Sequence, residues 1–133
     1  TTSRGLGDVY KRQSLYFLGT VRDHNNDKTV TGITYDAHDA MVKKSFKEIY
    51  EDAIKNLKLE HPAAFVEHAK GYVPLGGISV IIAVACKHRA QVYEFSRFII
   101  EEIKKKTPIW KKEHYQGEET TWLEGKPIDI KKA

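Results

Sequence analysis

Lysines gather around a bend late in the chain. Lys104-Lys105-Lys106 closes a stretch with helical periodicity, and Pro108-Ile109-Trp110-Lys111-Lys112-Glu113 follows it. Pro108 disfavours the α conformation in the residue before it, so the helix is expected to stop at or before Thr107. The chain then turns with lysines before and after the bend. Crowded or desolvated ammonium groups have lowered pKa values, and such a lysine can act as nucleophile or move a proton. Ile109 and Trp110 would supply the apolar wall that desolvates Lys111. The competing reading is a solvated helix end, whose lysines only complement the C-terminal helix dipole. A charge run taken alone favours that second reading.

Other cations could join the same cleft. His88-Arg89 falls between an apolar run and the next helix, where free backbone N–H groups and the helix dipole favour an anion. Arg89 could clamp phosphate in bidentate fashion. Arg22 closes the first strand. With Lys104, Lys111 and Lys112 these residues would make one anion-binding, lysine-containing pocket. Each also has a bland reading, as a helix-start histidine or a solvated surface charge. Cys86 reads as a small apolar residue of a buried strand rather than a sulfur carrier. The six histidines show no metal-ligand spacing, and there is no Gly-rich phosphate loop of the Walker or dinucleotide type. No metal or cofactor is expected.

The elements that must position these residues follow from length and pattern. A chain of 133 residues fits one domain able to bury a core without a metal or disulfide staple. The single cysteine forms no internal disulfide, which suits a reducing cytosol, and a cytoplasmic setting is the expectation. Ile78 to Cys86, the longest apolar run, is too short to span a bilayer. A net charge of +4 favours anionic partners, whether nucleic acid, a phosphorylated small molecule or an acidic protein.

Residues 1–13 lack periodicity and lack a signal-peptide core. They are read as a flexible leader, with a non-native remnant as one reading. Ser14–Arg22 reads as a strand, 23–28 as a polar turn, and Thr29–Ala37 as a strand hairpin-paired with the first. Asp39 is the expected N-cap of an amphipathic helix of about five turns. Ala64–Val73 is expected as one strand and Ile78–Cys86 as a central strand buried on both faces. A helix over 90–106, strands at 110–115 and 120–124, and a polar tail complete the reading. The order is α+β with mostly antiparallel pairing.

Phe17-x-Gly19-x-Val21-Arg22-x-His24-Asn25, then His88-Arg89, then Lys104, then Pro108-x-Trp110-Lys111-Lys112-Glu113, resembles the large, catalytic subunit of molybdopterin synthase. The resemblance covers residues 14–126, between the leader and a tail at 127–133. The Lys104-to-Lys111 spacing and the Trp-Lys-Lys-Glu run are its specific parts. The resemblance implies an α/β-hammerhead with an added antiparallel sheet and two main helices. It implies a sulfurtransferase that converts cyclic pyranopterin monophosphate to molybdopterin. The sulfur would come from the C-terminal thiocarboxylate of a small ubiquitin-like partner ending in Gly-Gly. Two copies of this chain would form the homodimer core of a heterotetramer.

By the same resemblance Lys104 and Lys111 are the catalytic lysines. Thr20, Val21 and Arg22 are substrate contacts, and His88 and Arg89 form an anion-binding pair reaching in from the neighbouring subunit. Lys112 and Glu113 complete the binding segment, with Glu113 orienting a cation. Lys126 sits where the family often has a basic residue. The leader does not look like the segment that family members carry before the first strand. Two other classes stay open on the residues alone: a nucleic-acid-binding module using Trp110 as a stacking platform, and a non-catalytic adaptor for ubiquitin-like tails. The resemblance expects neither nucleic-acid nor membrane binding.

Overall fold

A computed structural model describes residues 9–10, 13–25 and 28–117. The elements in order are β1 (Gln13–Thr20), β2 (His24–Asn25), β3 (Lys28–Ala37), α1 (Asp39–Leu57), β4 (Ala63–His68), β5 (Gly71–Pro74), β6 (Ile78–Cys86), α2 (Arg89–Lys106) and β7 (Ile109–Tyr115). The expected strand at 120–124, the tail and most of the leader lie outside the described residues.

The strands form two antiparallel sheets. In the first, β6 lies between β1 and β4. Its apolar residues leave no polar face to turn to water, so it needs a neighbour on each edge and helices over one side. Phe95, Ile99 and Ile103 of α2 and Ile49 and Ala53 of α1 pack with Val80, Ile82 and Val84 into one buried cluster. In the second sheet β3 pairs with β2, β5 and β7. Val21, Val30, Tyr35, Val73 and Ile109 form its smaller core.

Three expectations fail, each for a local reason. β1 and β3 are not a hairpin. β1 pairs with β6, its register slips between Gly19 and Thr20, and β3 pairs instead with β2, which falls within the stretch expected as a polar turn. Residues 64–73 are not one strand. β4 ends at His68, Gly71 takes φ +93°, and β5 continues in the other sheet. Positive φ is a conformation glycine adopts without strain, and it lets the chain change sheets there. The N-cap of α1 is His38, whose Nδ1 accepts from the Met41 amide at 3.3 Å. Asp39 is the first helical residue, where its carboxylate complements the helix dipole.

These breaks have a common consequence. The chain crosses from one sheet to the other after β1, through α1 between β3 and β4, between β4 and β5, between β5 and β6, and after α2. Val21 is tied into the crossing between β5 and β6, donating to Gly77 O at 3.0 Å and accepting from Gly76 N at 3.0 Å. The α2 exit follows the proline rule. Thr107 has ψ 128°, outside the helical region, and its amide still closes onto Ile103 O. Its buried hydroxyl meets Ser45 of α1 at 2.8 Å.

Phe95 is fully buried between both helices and the first sheet. Phe95→Ala is expected to remove roughly 3–5 kcal/mol of stability. Urea unfolding should show a lowered midpoint at unchanged slope; a midpoint within error of the parent would contradict this packing.

Candidate functional site

A cavity of about 240 Å³ lies at the seam where the chain changes sheets. Thr20, Val21 and Arg22 enter it from the end of β1, Lys104 from the last turn of α2, and Lys111 and Glu113 from β7. Cations far apart in the sequence thus line one hollow. Phe17, Val30, Ile33, Ile100 and Ile103 supply its apolar wall.

Helical spacing separates the three consecutive lysines. Lys104 follows Ile100 and Ile103 on the buried side of α2 and points into the cavity. Lys105 and Lys106 instead pair with Glu102, at 3.7 and 2.7 Å, and are exposed. They are the solvated helix end; Lys104 is not. Burial lowers the Lys104 pKa from 10.5, and the nearby positive charges of Lys111 and Arg22 lower it further.

Strand alternation does the same work on β7. Lys111 and Glu113 share a face, with Nζ and Oε1 3.8 Å apart, and both side chains are largely shielded from water. Glu113 is only 3% exposed. Its Oε2 accepts from the Tyr115 hydroxyl at 2.6 Å, which fixes the carboxylate beside the lysine. Lys112 faces the other side of the strand and does not line the cavity, contrary to expectation. Trp110 is likewise on that other face, so it does not wall Lys111. Ile109 shares the Lys111 face but is consumed by the second core.

His88 and Arg89 are not in this cavity either. They begin α2, whereas Lys104 ends it, about 22 Å away along the axis. Both are exposed. His88 Nε2 stands 3.4 Å from Glu60 Oε1, and Lys87 Nζ is 3.4 Å from Glu60 Oε2. Those two partners, His88 foremost, lower the Glu60 pKa. The single pocket expected from all the cations is therefore not formed within one chain. Cys86 is buried beside them, and burial raises its thiol pKa; it packs as an apolar residue.

Sequence reasoning missed the cavity's remaining wall, Tyr35, His68 and Ser79. Burial raises the Tyr35 pKa, the Ser79 hydroxyl hydrogen-bonded to it opposes this, and the Glu113 charge adds to the rise. Placing the strand break before Gly71 would have set His68 at a sheet crossing and flagged it.

Lys104 costs the fold stability while it is charged. Its folded-state pKa lies below that of the unfolded chain, so the cost is full at neutral pH. It is relieved as pH climbs through the folded value towards 10.5. Lys104→Met is expected to raise the melting temperature at pH 7, with a gain that shrinks on approach to pH 10.5. A gain independent of pH would show that charge is not the cause.

Comparison with known proteins shows the family and the fold. The family model described as MoaE protein matches residues 13–106. A molybdopterin synthase catalytic subunit 1 of Aedes aegypti is 37% identical over 120 residues, covering 88% of this chain and 76% of that one. A molybdopterin synthase catalytic subunit of Drosophila sechellia is 38% identical over 123 residues, covering 91% of this chain. The match takes in only 33% of that relative, so this chain spans about a third of its length. Among solved structures, molybdopterin synthase from Staphylococcus aureus superposes with a TM-score of 0.80 at 28% identity, covering 87% of this chain and 82% of that chain. A complex of subunits 1 and 2 of molybdopterin-converting factor from Helicobacter pylori shares the fold, with a TM-score of 0.71 at 24% identity over 92% of this chain and 78% of that one. On the family match and the Aedes relative together, this chain belongs to the MoaE protein family.

Proposed function

We propose that the chain is a sulfurtransferase of molybdenum cofactor biosynthesis, a molybdopterin synthase catalytic subunit. It would convert cyclic pyranopterin monophosphate to molybdopterin with sulfur from the thiocarboxylate tail of a small ubiquitin-like partner. The observation that carries this reading is the meeting of Arg22, Lys104 and Lys111 in one partly enclosed cavity. A thiocarboxylate and a cyclic phosphate are both anions, and bringing them together needs fixed positive charge. Arg22, with Thr20 and Val21, holds the pterin. Lys111 and Lys104 position the incoming tail and move protons as the spent carboxylate leaves. Glu113 orients the Lys111 ammonium. The lowered Lys104 pKa suits proton transfer, because a neutral amine is closer to hand there.

His88 and Arg89 enter this proposal through a second copy of the chain. Too far from Lys104 in their own subunit, they would supply the anion-binding pair of the neighbour's cavity. The assembly is then a homodimer core with one small subunit at each end. A lone buried thiol fits a cytoplasmic setting. No described helix is long and apolar enough to cross a membrane.

The direct test mixes the protein with thiocarboxylated partner and cyclic pterin and assays dithiolene formation. Lys111→Ala should fold normally and lose at least a hundredfold in turnover, the usual scale for removing one preorganised charge. Near-normal transfer by that variant would take Lys111 out of the mechanism, and tail binding without any turnover by the parent would make the chain an adaptor. Arg89→Ala should weaken pterin binding. Mixing the Lys111→Ala and Arg89→Ala chains should restore up to roughly a quarter of parental activity, because a two-fold dimer of the two holds one intact site. No restoration on mixing would mean that each subunit completes its own site.

A further inference from the structure

The cavity's ionic wall has a counterpart that the proposed mechanism leaves unused. His68 ends β4 at the crossing between the sheets and lines the cavity. Its Nδ1 is 2.8 Å from the carbonyl oxygen of Ala69. A carbonyl only accepts, so Nδ1 carries the proton and Nε2 keeps the ring's lone pair. Tyr35 packs against the imidazole edge-to-face, with centroids 4.8 Å apart and planes at 77°. The ring is thus held in one tautomer and one orientation. Burial lowers the His68 pKa, with the Ala69 hydrogen bond opposing it, and Arg22, Lys104 and Lys111 share the same hollow.

We propose that His68, steadied by Tyr35, is the fixed hydrogen-bond acceptor with which the cavity recognises an N–H edge of its heterocyclic substrate. The inference rests on the pterin reading above. Arginine and lysine side chains are donors only. Glu113 already accepts from Tyr115 and faces Lys111. A reduced pterin brings N–H groups on its rings as well as an anionic phosphate. Cations satisfy the phosphate, but an N–H turned towards them would be left unpaired, which is costly in a shielded site. His68 removes that mismatch. It would therefore act as a specificity residue, selecting a donor-bearing heterocycle over an equally charged phosphate ester without one.

The test is calorimetric binding of cyclic pyranopterin monophosphate to the full chain and two variants. His68→Leu removes the acceptor and is expected to weaken binding roughly tenfold, the scale of one hydrogen bond. His68→Gln keeps an acceptor near the ε position and should recover most of the affinity. Equal weakening by both variants, or by neither, overturns the role. Nitrogen-15 NMR of the unsubstituted protein provides a readout that does not depend on the variants folding. It should show a neutral, Nδ1-protonated His68 at pH 7 whose Nε2 signal moves when the pterin is added. An Nε2-protonated ring, or an Nε2 signal indifferent to the pterin, overturns it as well. Pterin binding without sulfur transfer would defeat the proposed function and leave this inference standing; no pterin binding at all defeats both.

Discussion

Mutual repulsion among Arg22, Lys104 and Lys111 is the constraint around which this fold is arranged. Like charges in a shielded hollow disfavour the folded state; burial first, and then the charges of Lys111 and Arg22, lower the Lys104 pKa. Something must hold the cations there against it. Two features do. The large core fixes α2 against β6 through Phe95, Ile99 and Ile103, so Lys104 cannot swing away without unpacking its own helix. Buried Glu113, clamped by Tyr115, places one negative charge beside Lys111. A site that is unfavourable when empty and favourable with anions bound is what a binding cleft for two anionic reactants requires.

The seam between the sheets explains why the cleft is where it is. Strand ends and sheet crossings leave a gap that neither core fills. Four of the five crossings deliver a side chain there: Arg22 after β1, His68 at the end of β4, Ser79 at the start of β6 and Lys104 before the turn to β7. Regular elements supply rigidity, and their ends supply chemistry. The hollow combines cations with aromatic and hydrogen-bonding groups, a mixture suited to a ligand that is part phosphate and part heterocycle.

Much of this was legible in the sequence where local rules govern. Pro108 fixed the end of α2, periodicity located both helices, and the β-branched run from Ile78 marked the central strand. Pairing was less legible, because adjacency in sequence argued for a β1–β3 hairpin. The edge of β6 competed for β1 and won, through contacts no local pattern encodes. Among candidate residues, alternation decided what spacing could not. Lys111 and Glu113 face inwards while Lys112 faces out, and Lys105 and Lys106 are turned about 100° and about 200° around the helix from Lys104. His88 and Arg89 sit at the opposite end of α2 from Lys104, a separation of about 22 Å that the expected helix over 90–106 already implied. His68 stands out in the sequence only as one of six histidines without metal-ligand spacing, because residues 64–73 read as one unbroken strand.

The most direct measurement is the titration of the Lys104 amine itself, followed by NMR after carbon-13 methylation of the lysines. The account requires a midpoint below 10.5 that rises when Lys111 is replaced by glutamine, since the two ammonium groups share one cleft. A Lys104 that titrates as a free lysine and takes no notice of that replacement would contradict it.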